Sequence, residues 1–161
     1  MNKSLSHKSA LVIIPPEDDW PLIQCIRQQY DSKLNRWMPH ITLVYPFVPI
    51  ERFESVGDRV RHACDPIAPF KISLAHFDSF RHRRGKYTVW LDPQPNDAVE
   101  QLHATIVNSL IEFDDKFENS NRRFRPHLSV GQCRGRDQVA RLSRVGVRRS
   151  KIVLGDAKLP G

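Results

Sequence analysis

Long apolar runs, cysteine pairs and glycine-rich loops are missing or scarce in this 161-residue chain. No apolar run approaches the ~18 residues of a transmembrane helix, and Met1 to Ser9 lack the apolar core of a signal peptide. The cysteines are widely spaced, odd in number and without a Cys-x-x-Cys pair, which favours reduced thiols in a cytoplasmic protein over a zinc site. No Walker loop is present to hold ATP, and no carboxylate cluster has metal-ligand spacing. We therefore expect a cytoplasmic protein that uses no metal and no cofactor and does not enter the membrane.

The net charge of +7 is concentrated in two stretches. Residues 122–151 carry ten Lys or Arg against one acid, Asp137, and residues 81–86 (RHRRGK) have the composition of a basic hairpin tip. A basic cluster is either a solvated face or a binding surface for phosphates. Because the first cluster surrounds His127, the interpretation as a phosphate-binding surface is favoured.

Apolar periodicity predicts a mixed α+β chain that is long enough for one domain, residues 1–161, with a polar and flexible tail at residues 1–8. Asp18 or Asp19 is placed to cap the first helix. Segment 114–121 is polar and is predicted to form a loop. The predicted elements, in order, are strand 9–14, a helix over 20–30, a strand at His40 that ends before Pro46, a helix over 53–63, strands 70–77 and 87–91, a helix over 96–113, a strand at His127, a short helix around Val139 and Leu142, and strand 151–154.

Two short segments carry the same pattern: residues 39–43 read PHITL and residues 126–130 read PHLSV. On a strand, side chains two apart share a face, so each segment directs an imidazole and a hydroxyl to one side. The pattern His-x-Ser/Thr is expected by chance roughly 0.7 times in this composition. Only these copies, at His40 and His127, have a leading proline and alternating apolar residues; the copies at His7 and His103 lie in a polar stretch and a helical pattern. Two such strands supply an acid, a base and two hydroxyls, the equipment for phosphodiester chemistry without a metal.

With its two copies of His-x-Thr/Ser-x, the chain resembles the two-histidine (2H) phosphoesterases, which include 2'-5' RNA ligase-like proteins and cyclic nucleotide phosphodiesterases. The resemblance covers residues 9–154 and, besides the two motifs, includes residues 44–47 (VYPF) and 87–91 (YTVWL). It implies an α+β fold of two lobes, in which two sheets with flanking helices face each other across a central cleft. The lobes are expected to be related by approximate two-fold symmetry. Ser129 stands where threonine is commoner, and the chain ends at Gly161 soon after its last apolar segment, so we expect one terminal strand to be short or absent.

The resemblance and the motif chemistry together give the expected site. The expected catalytic residues are His40, Thr42, His127 and Ser129. We assign His127 as the general base and His40 as the general acid, with the opposite assignment open because the two motifs are nearly symmetric. The residues expected to bind substrate are Arg125, Arg83 and Arg84, for phosphate, and Trp37 and Phe124, for a nucleobase.

The expected activity is that of an RNA phosphoesterase, acting on 2',3'-cyclic phosphate ends or on 2'-5' linked RNA. Hydrolysis of small cyclic nucleotides or 2'-5' oligoadenylate, and a nucleotide- or RNA-binding module without turnover, are the alternatives. The expected partners are RNA ends or nucleotides with cyclic or 2'-5' phosphodiesters, bound by a monomer.

Overall fold

The computed structural model describes residues 5–112, 115–121, 123–144 and 151–153. The chain divides into two compact units, each built from three segments. Unit 1 comprises residues 1–13, 42–68 and 96–126, and unit 2 comprises residues 14–41, 69–95 and 127–161. The units therefore do not coincide with the N-terminal and C-terminal halves of the chain.

Unit 2 contains an antiparallel sheet and two helices. Strands β3 (Lys71–Arg81) and β4 (Lys86–Gln94) form a hairpin, β5 (Leu128–Arg134) pairs with β4, and β6 (Lys151–Val153) pairs with β3. Alternating side chains of these strands, such as Ile72 and Leu74, are fully buried. β3 pairs with β4 from Ser73 to Arg81, with an irregularity in the register between Ser73 and His76.

Helix α1 (Trp20–Tyr30) packs on β5 through a stripe that includes Ile23 and Ile26. The close approach depends on Gly131, because a Cβ at this position would overlap the Cβ of Tyr30 and lie 3.1 Å from its carbonyl carbon and oxygen. Helix α4 (Gly135–Ser143) follows β5 directly and buries Leu142. The C-terminal end of α1 is therefore held against the strand that follows His127.

Unit 1 contains strand β1 (Leu11–Ile13), which pairs with β2 (Ile41–Val44), and two helices, α2 (Phe53–Cys64) and α3 (Asn96–Ile111), which pack on each other. Its core includes Val56, Val99 and Leu110. Ile41, the first residue of β2, is assigned to unit 2.

The predicted α+β class is confirmed, as are the four helices, the six strands and the hairpin with its basic tip. The predicted loop over 114–121 is wrong for Asp115–Asn121, which form a 3₁₀ helix anchored by the fully buried Phe117 on the ring of Phe47. One aromatic residue in a polar stretch gives no periodicity, so this element left no pattern to detect. Asp19 occupies the N-cap position of α1 but forms no capping side-chain hydrogen bond.

The ends of several elements differ from the predicted ones. The hairpin strands run longer than predicted, to Arg81 and Gln94. The predicted helix over 96–113 ends at Ile111, and Phe113 and Leu154 lie outside the described residues. Of the tail predicted to be flexible, residues 1–4 also lie outside them, and Ser6 forms a backbone bridge with Phe47. Within the described residues, no helix has both the length and the apolar character needed to cross a bilayer.

Candidate active site

Both motif histidines belong to unit 2, and each lies one residue before a strand. Strands β2 and β5 are antiparallel, and Ile41 and Leu128 are partners in their register. Extending this register by one residue puts His40 opposite Ser129. His127 then occupies the diagonal position, and diagonal neighbours in such a pair are separated by about 7–8 Å. Two segments that are 87 positions apart in the chain, by their residue numbers, thus present their histidines side by side.

The histidines point away from the core. Ile41 and Leu128 are 1% and 0% exposed, whereas His40, His127 and Ser129 are all half-buried. Because neighbouring residues on a strand point to opposite faces, the buried pair fixes the face on which the imidazoles lie. We call this the site face. The site face can admit a substrate, whereas the opposite face of the two strands is part of the core.

A β-bulge shapes the site face on β5. Val89 pairs with Gly131 and Trp90 pairs with Ser129, so Val130 is the extra residue between two consecutive partners. Thr88 pairs with Gln132. Since Thr88 and Trp90 are two apart on β4 and share a face, the bulge brings Gln132 to the same face as Ser129, despite their odd spacing.

Aromatic rings surround His127. The imidazole lies edge to face with Phe80, at a centroid distance of 5.1 Å and an interplanar angle of 88°, and with Trp90, at 5.9 Å and 65°. Phe80 and Trp90 stack on each other at 5.0 Å. Trp90 is fully buried in the sheet, so it is a fixed support. The ring of His127 is therefore held in orientation by packing.

A hydrogen bond orients the ring of His40. Its Nδ1 lies 2.7 Å from the carbonyl oxygen of Met38. A carbonyl oxygen only accepts, so this contact requires the proton on Nδ1, and the neutral ring then carries its lone pair on Nε2. The Trp37 ring lies 5.4 Å from the imidazole, tilted by 44°. Nε2 is thus the atom of His40 that can exchange a proton with a substrate.

A hydrogen-bonded network, with the buried Arg27 and Asp31 at its centre, connects α1 to both histidine segments. The Arg27 guanidinium donates to Asp31 Oδ2 at 2.7 Å, to Gln24 Oε1 at 2.9 Å and to the carbonyl oxygen of Trp37 at 2.7 Å. Gln132, on β5, donates to Asp31 Oδ1 at 3.2 Å and accepts from the backbone N–H and hydroxyl of Ser32 at 3.0 and 2.8 Å. The side chains of Arg27 and Asp31 are only 3% and 4% exposed. Trp37, three residues before His40, and the end of β5 are therefore fixed to one helix end.

The other predicted site residues are distributed as follows. Thr42 is the second residue of β2, half-buried, and belongs to unit 1. Arg125 and Phe124 also belong to unit 1, where Arg125 is exposed and Phe124 stacks on the buried His103 at 3.6 Å. The role of Phe124 in binding a nucleobase stays a prediction, as do the roles of Trp37 and Arg125.

Arg83 and Arg84 lie at the exposed tip of the β3–β4 hairpin, in unit 2. That position is at the opposite end of the sheet from His127, which precedes the start of β5. Their role in binding substrate also stays a prediction.

Sequence reasoning missed the supporting residues of the site. Arg27 was detectable, since it lies four residues after Ile23 on the buried stripe of α1 and four before Asp31, a spacing typical of ion pairs. The hydrogen bond from Gln132 to Asp31 had no signal in the sequence, because it joins residues 101 positions apart.

The cysteines take no part in this polar network. Burial raises the pKa of the Cys133 thiol, and burial together with the nearby Asp65 carboxylate raises the pKa of Cys64. Among the described residues, no group of three or more His, Cys, Asp or Glu side chains could hold a metal ion.

Comparison with known proteins places these observations in a family. Residues 15–145 match the family model of the 2'-5' RNA ligase superfamily. A protein of Geobacillus kaustophilus, "Putative phosphoesterase GK0864", is 29% identical over 126 residues, which cover 78% of this chain and 69% of the relative. Similar proteins of Geobacillus thermodenitrificans and Staphylococcus haemolyticus, named in the same way, are 25% and 24% identical, over 78% and 76% of this chain and 69% of each relative.

A solved structure titled "Crystal structure of phosphoesterase" aligns with 88% of this chain and 76% of its own, at 18% identity and a TM-score of 0.46. The family match covers most of the chain, including both histidine motifs. The protein belongs to the 2'-5' RNA ligase superfamily.

Proposed function

We propose that this protein is a phosphoesterase that cleaves or forms phosphodiester bonds at RNA ends by acid–base catalysis, with His40 and His127 as the two proton-transfer groups. The observation that carries the proposal is the pairing of Ile41 with Leu128, which puts both imidazoles on one solvent-facing side of neighbouring strands. Membership of the 2'-5' RNA ligase superfamily supports the choice of substrate class.

The reaction needs two proton transfers on opposite sides of one phosphorus. In hydrolysis of a 2',3'-cyclic phosphate, His127 takes a proton from water as its oxygen bonds to phosphorus. His40 gives a proton to the 3' oxygen as the bond between that oxygen and phosphorus breaks. The product is a 2'-phosphate with a free 3'-hydroxyl. When an RNA 5'-hydroxyl replaces water, the same transfers give a 2'-5' linkage, with no ATP consumed.

The remaining groups of the motif stabilise charge. Ser129, opposite His40 in the extended register, donates a hydrogen bond to a nonbridging phosphate oxygen in this mechanism, because negative charge there must be stabilised in the transition state. Thr42 is assigned the same role from the motif alone. The hydrogen bond from Nδ1 of His40 to Met38 leaves Nε2 for the leaving oxygen.

The test is turnover of RNA oligomers that end in a 2',3'-cyclic phosphate, with the position of the product phosphate determined. His40→Ala and His127→Ala should each lower kcat by about 10²–10⁴-fold. The double variant should be little slower than either single one, because the two groups act in one step. His62→Ala, at an exposed histidine of α2, is the matched control and should leave the rate unchanged.

Two results would contradict the proposal. One is near-full turnover by either single variant on cyclic phosphate and 2'-5' substrates. The other is loss of activity with EDTA that a divalent ion restores, which would indicate metal-activated water. Turnover of small cyclic nucleotides without turnover of RNA ends would support the acid–base mechanism but show that the substrate is a small cyclic nucleotide.

A further inference from the structure

The end of the unit 2 sheet that lies farthest from His127 is strongly basic. β3 ends there, β4 begins there, and β5 runs into α4 there. We call this region the basic end. Its cations are all exposed. They are Arg81, Arg83, Arg84, Lys86, Arg134 and Arg136.

These charges are not neutralised by the fold. Lys86 and Arg134 are direct partners in the β4–β5 register, and like charges in such positions destabilise a sheet. Within the described part of the chain, none of the six cations forms an ion pair. Residues 81–86 and 134–137 contain one acid, Asp137. The basic end is thus complementary to an anion with several charges.

The turn at the basic end keeps an arginine where the backbone disfavours one. Arg84 has φ 60° and ψ 35°, and Gly85 follows with φ 65°. Asn-Gly is the common solution for two successive residues with positive φ. An arginine has a steric cost in this conformation, and such outliers cluster at functional positions. The charge of Arg84 is the property that asparagine would lack.

The basic end extends from the neighbourhood of His127 to well beyond the length of one nucleotide, since Arg81 follows Phe80, whose ring contacts His127 at a centroid distance of 5.1 Å. Arg134 lies seven residues after His127 along β5, which corresponds to roughly 20 Å at the rise of a strand. A single nucleotide is shorter than this separation. Only a polymer with its reacting end at the histidines could reach both His127 and Arg134.

We propose that the basic end binds the sugar–phosphate backbone of a single-stranded RNA whose terminal phosphodiester lies at His40 and His127. This inference rests on the proposed function for the position of the RNA end. It adds that the preferred substrate is an oligomer and that binding strength depends on chain length.

The experiment measures affinity for single-stranded RNA oligomers of increasing length, at several salt concentrations, for the protein and for the variant Arg83→Ala/Arg84→Ala. For a single strand, the salt slope decreases by about 0.7 for each phosphate that the protein no longer neutralises. Between about 50 and 200 mM salt, the loss of affinity should therefore be about sevenfold smaller for the variant than for the parent. Its kcat/KM for an oligomer should fall relative to that for a mononucleotide cyclic phosphate.

Two control variants separate local binding from net charge and from the turn. Arg61→Ala/Lys71→Ala removes two exposed cations elsewhere in the described chain and should leave the salt slope unchanged. Arg84→Asn removes one charge while suiting the turn, so it should raise the Tm and weaken RNA binding.

The proposal is overturned if Arg83→Ala/Arg84→Ala binds RNA with the affinity and salt slope of the parent. It is also overturned if this variant loses binding to vesicles of anionic lipid while RNA affinity is unchanged, since the basic end would then be a membrane-binding surface. Failure of the proposed function is distinguishable from both results. In that case the parent turns over no cyclic phosphate or 2'-5' substrate, while the salt slope for an unreactive oligomer still reports on the basic end.

Discussion

Replacing Arg27 should lower both the stability of unit 2 and the turnover rate, although Arg27 is not among the residues proposed to contact the substrate. Arg27→Met keeps an unbranched, apolar side chain of similar length but removes all three hydrogen bonds of the guanidinium. The carboxylate of Asp31, 4% exposed, would then remain buried without its cation. Removing one partner of a buried ion pair costs about 3–5 kcal/mol. For a chain of this size, the Tm should fall by about 6–20 °C.

Thermal unfolding followed by tryptophan fluorescence is the appropriate assay, because Trp20, Trp37 and Trp90 all belong to unit 2. Arg61→Met is the matched control, followed by circular dichroism. Arg61 pairs with Asp58 on the exposed surface of α2, with side chains 56% and 69% exposed, and such pairs contribute about 0–1 kcal/mol. The double variant Arg27→Met/Asp31→Asn should be more stable than Arg27→Met, because the buried charge without a partner is gone.

Activity provides the second measurement. The carbonyl oxygen of Trp37 that Arg27 holds lies three residues before His40. Arg27→Met should therefore lower kcat more than it raises KM, at a temperature where the variant is folded. A Tm within about 2 °C of the parent, together with unchanged kcat, would refute the conclusion that this network fixes the histidine segment.

The remaining predictions concern packing, thiols and pH. Gly131→Ala should destabilise unit 2 by about 1–3 kcal/mol, because the added Cβ meets Tyr30; an unchanged fluorescence-detected Tm would contradict this packing. Iodoacetamide should modify the exposed Cys25 first and Cys133 last, because Cys133 is buried away from the reagent and burial also raises its pKa; mass spectrometry of the folded protein gives the order. The kcat/KM for a cyclic phosphate should be bell-shaped in pH, because one imidazole must be neutral and one protonated, and a single-limbed profile would remove one of them from the mechanism.

Local pattern was sufficient to predict the α-helices and the strands, and it nominated the motif residues, whose chemistry stays a proposal. Ile23 and Ile26 marked α1 through helical spacing, and the alternation around His40 and His127 marked the starts of two strands. The composition of residues 81–86 marked the hairpin tip. These features depend on residues a few positions apart, which a sequence displays directly.

Long-range pairing decided the rest. That Ile41 meets Leu128, that Val130 is the extra residue of a bulge, and that Gln132 reaches Asp31 all depend on segments brought together by burial of distant apolar residues. The period of a strand shows which residues share a face, but it contains no information on which strand lies beside it or where the register shifts. The sequence by itself thus determined the helices, the strands and the two repeated motifs that nominate a site, and the tertiary structure decided that both motif imidazoles lie on one face of unit 2.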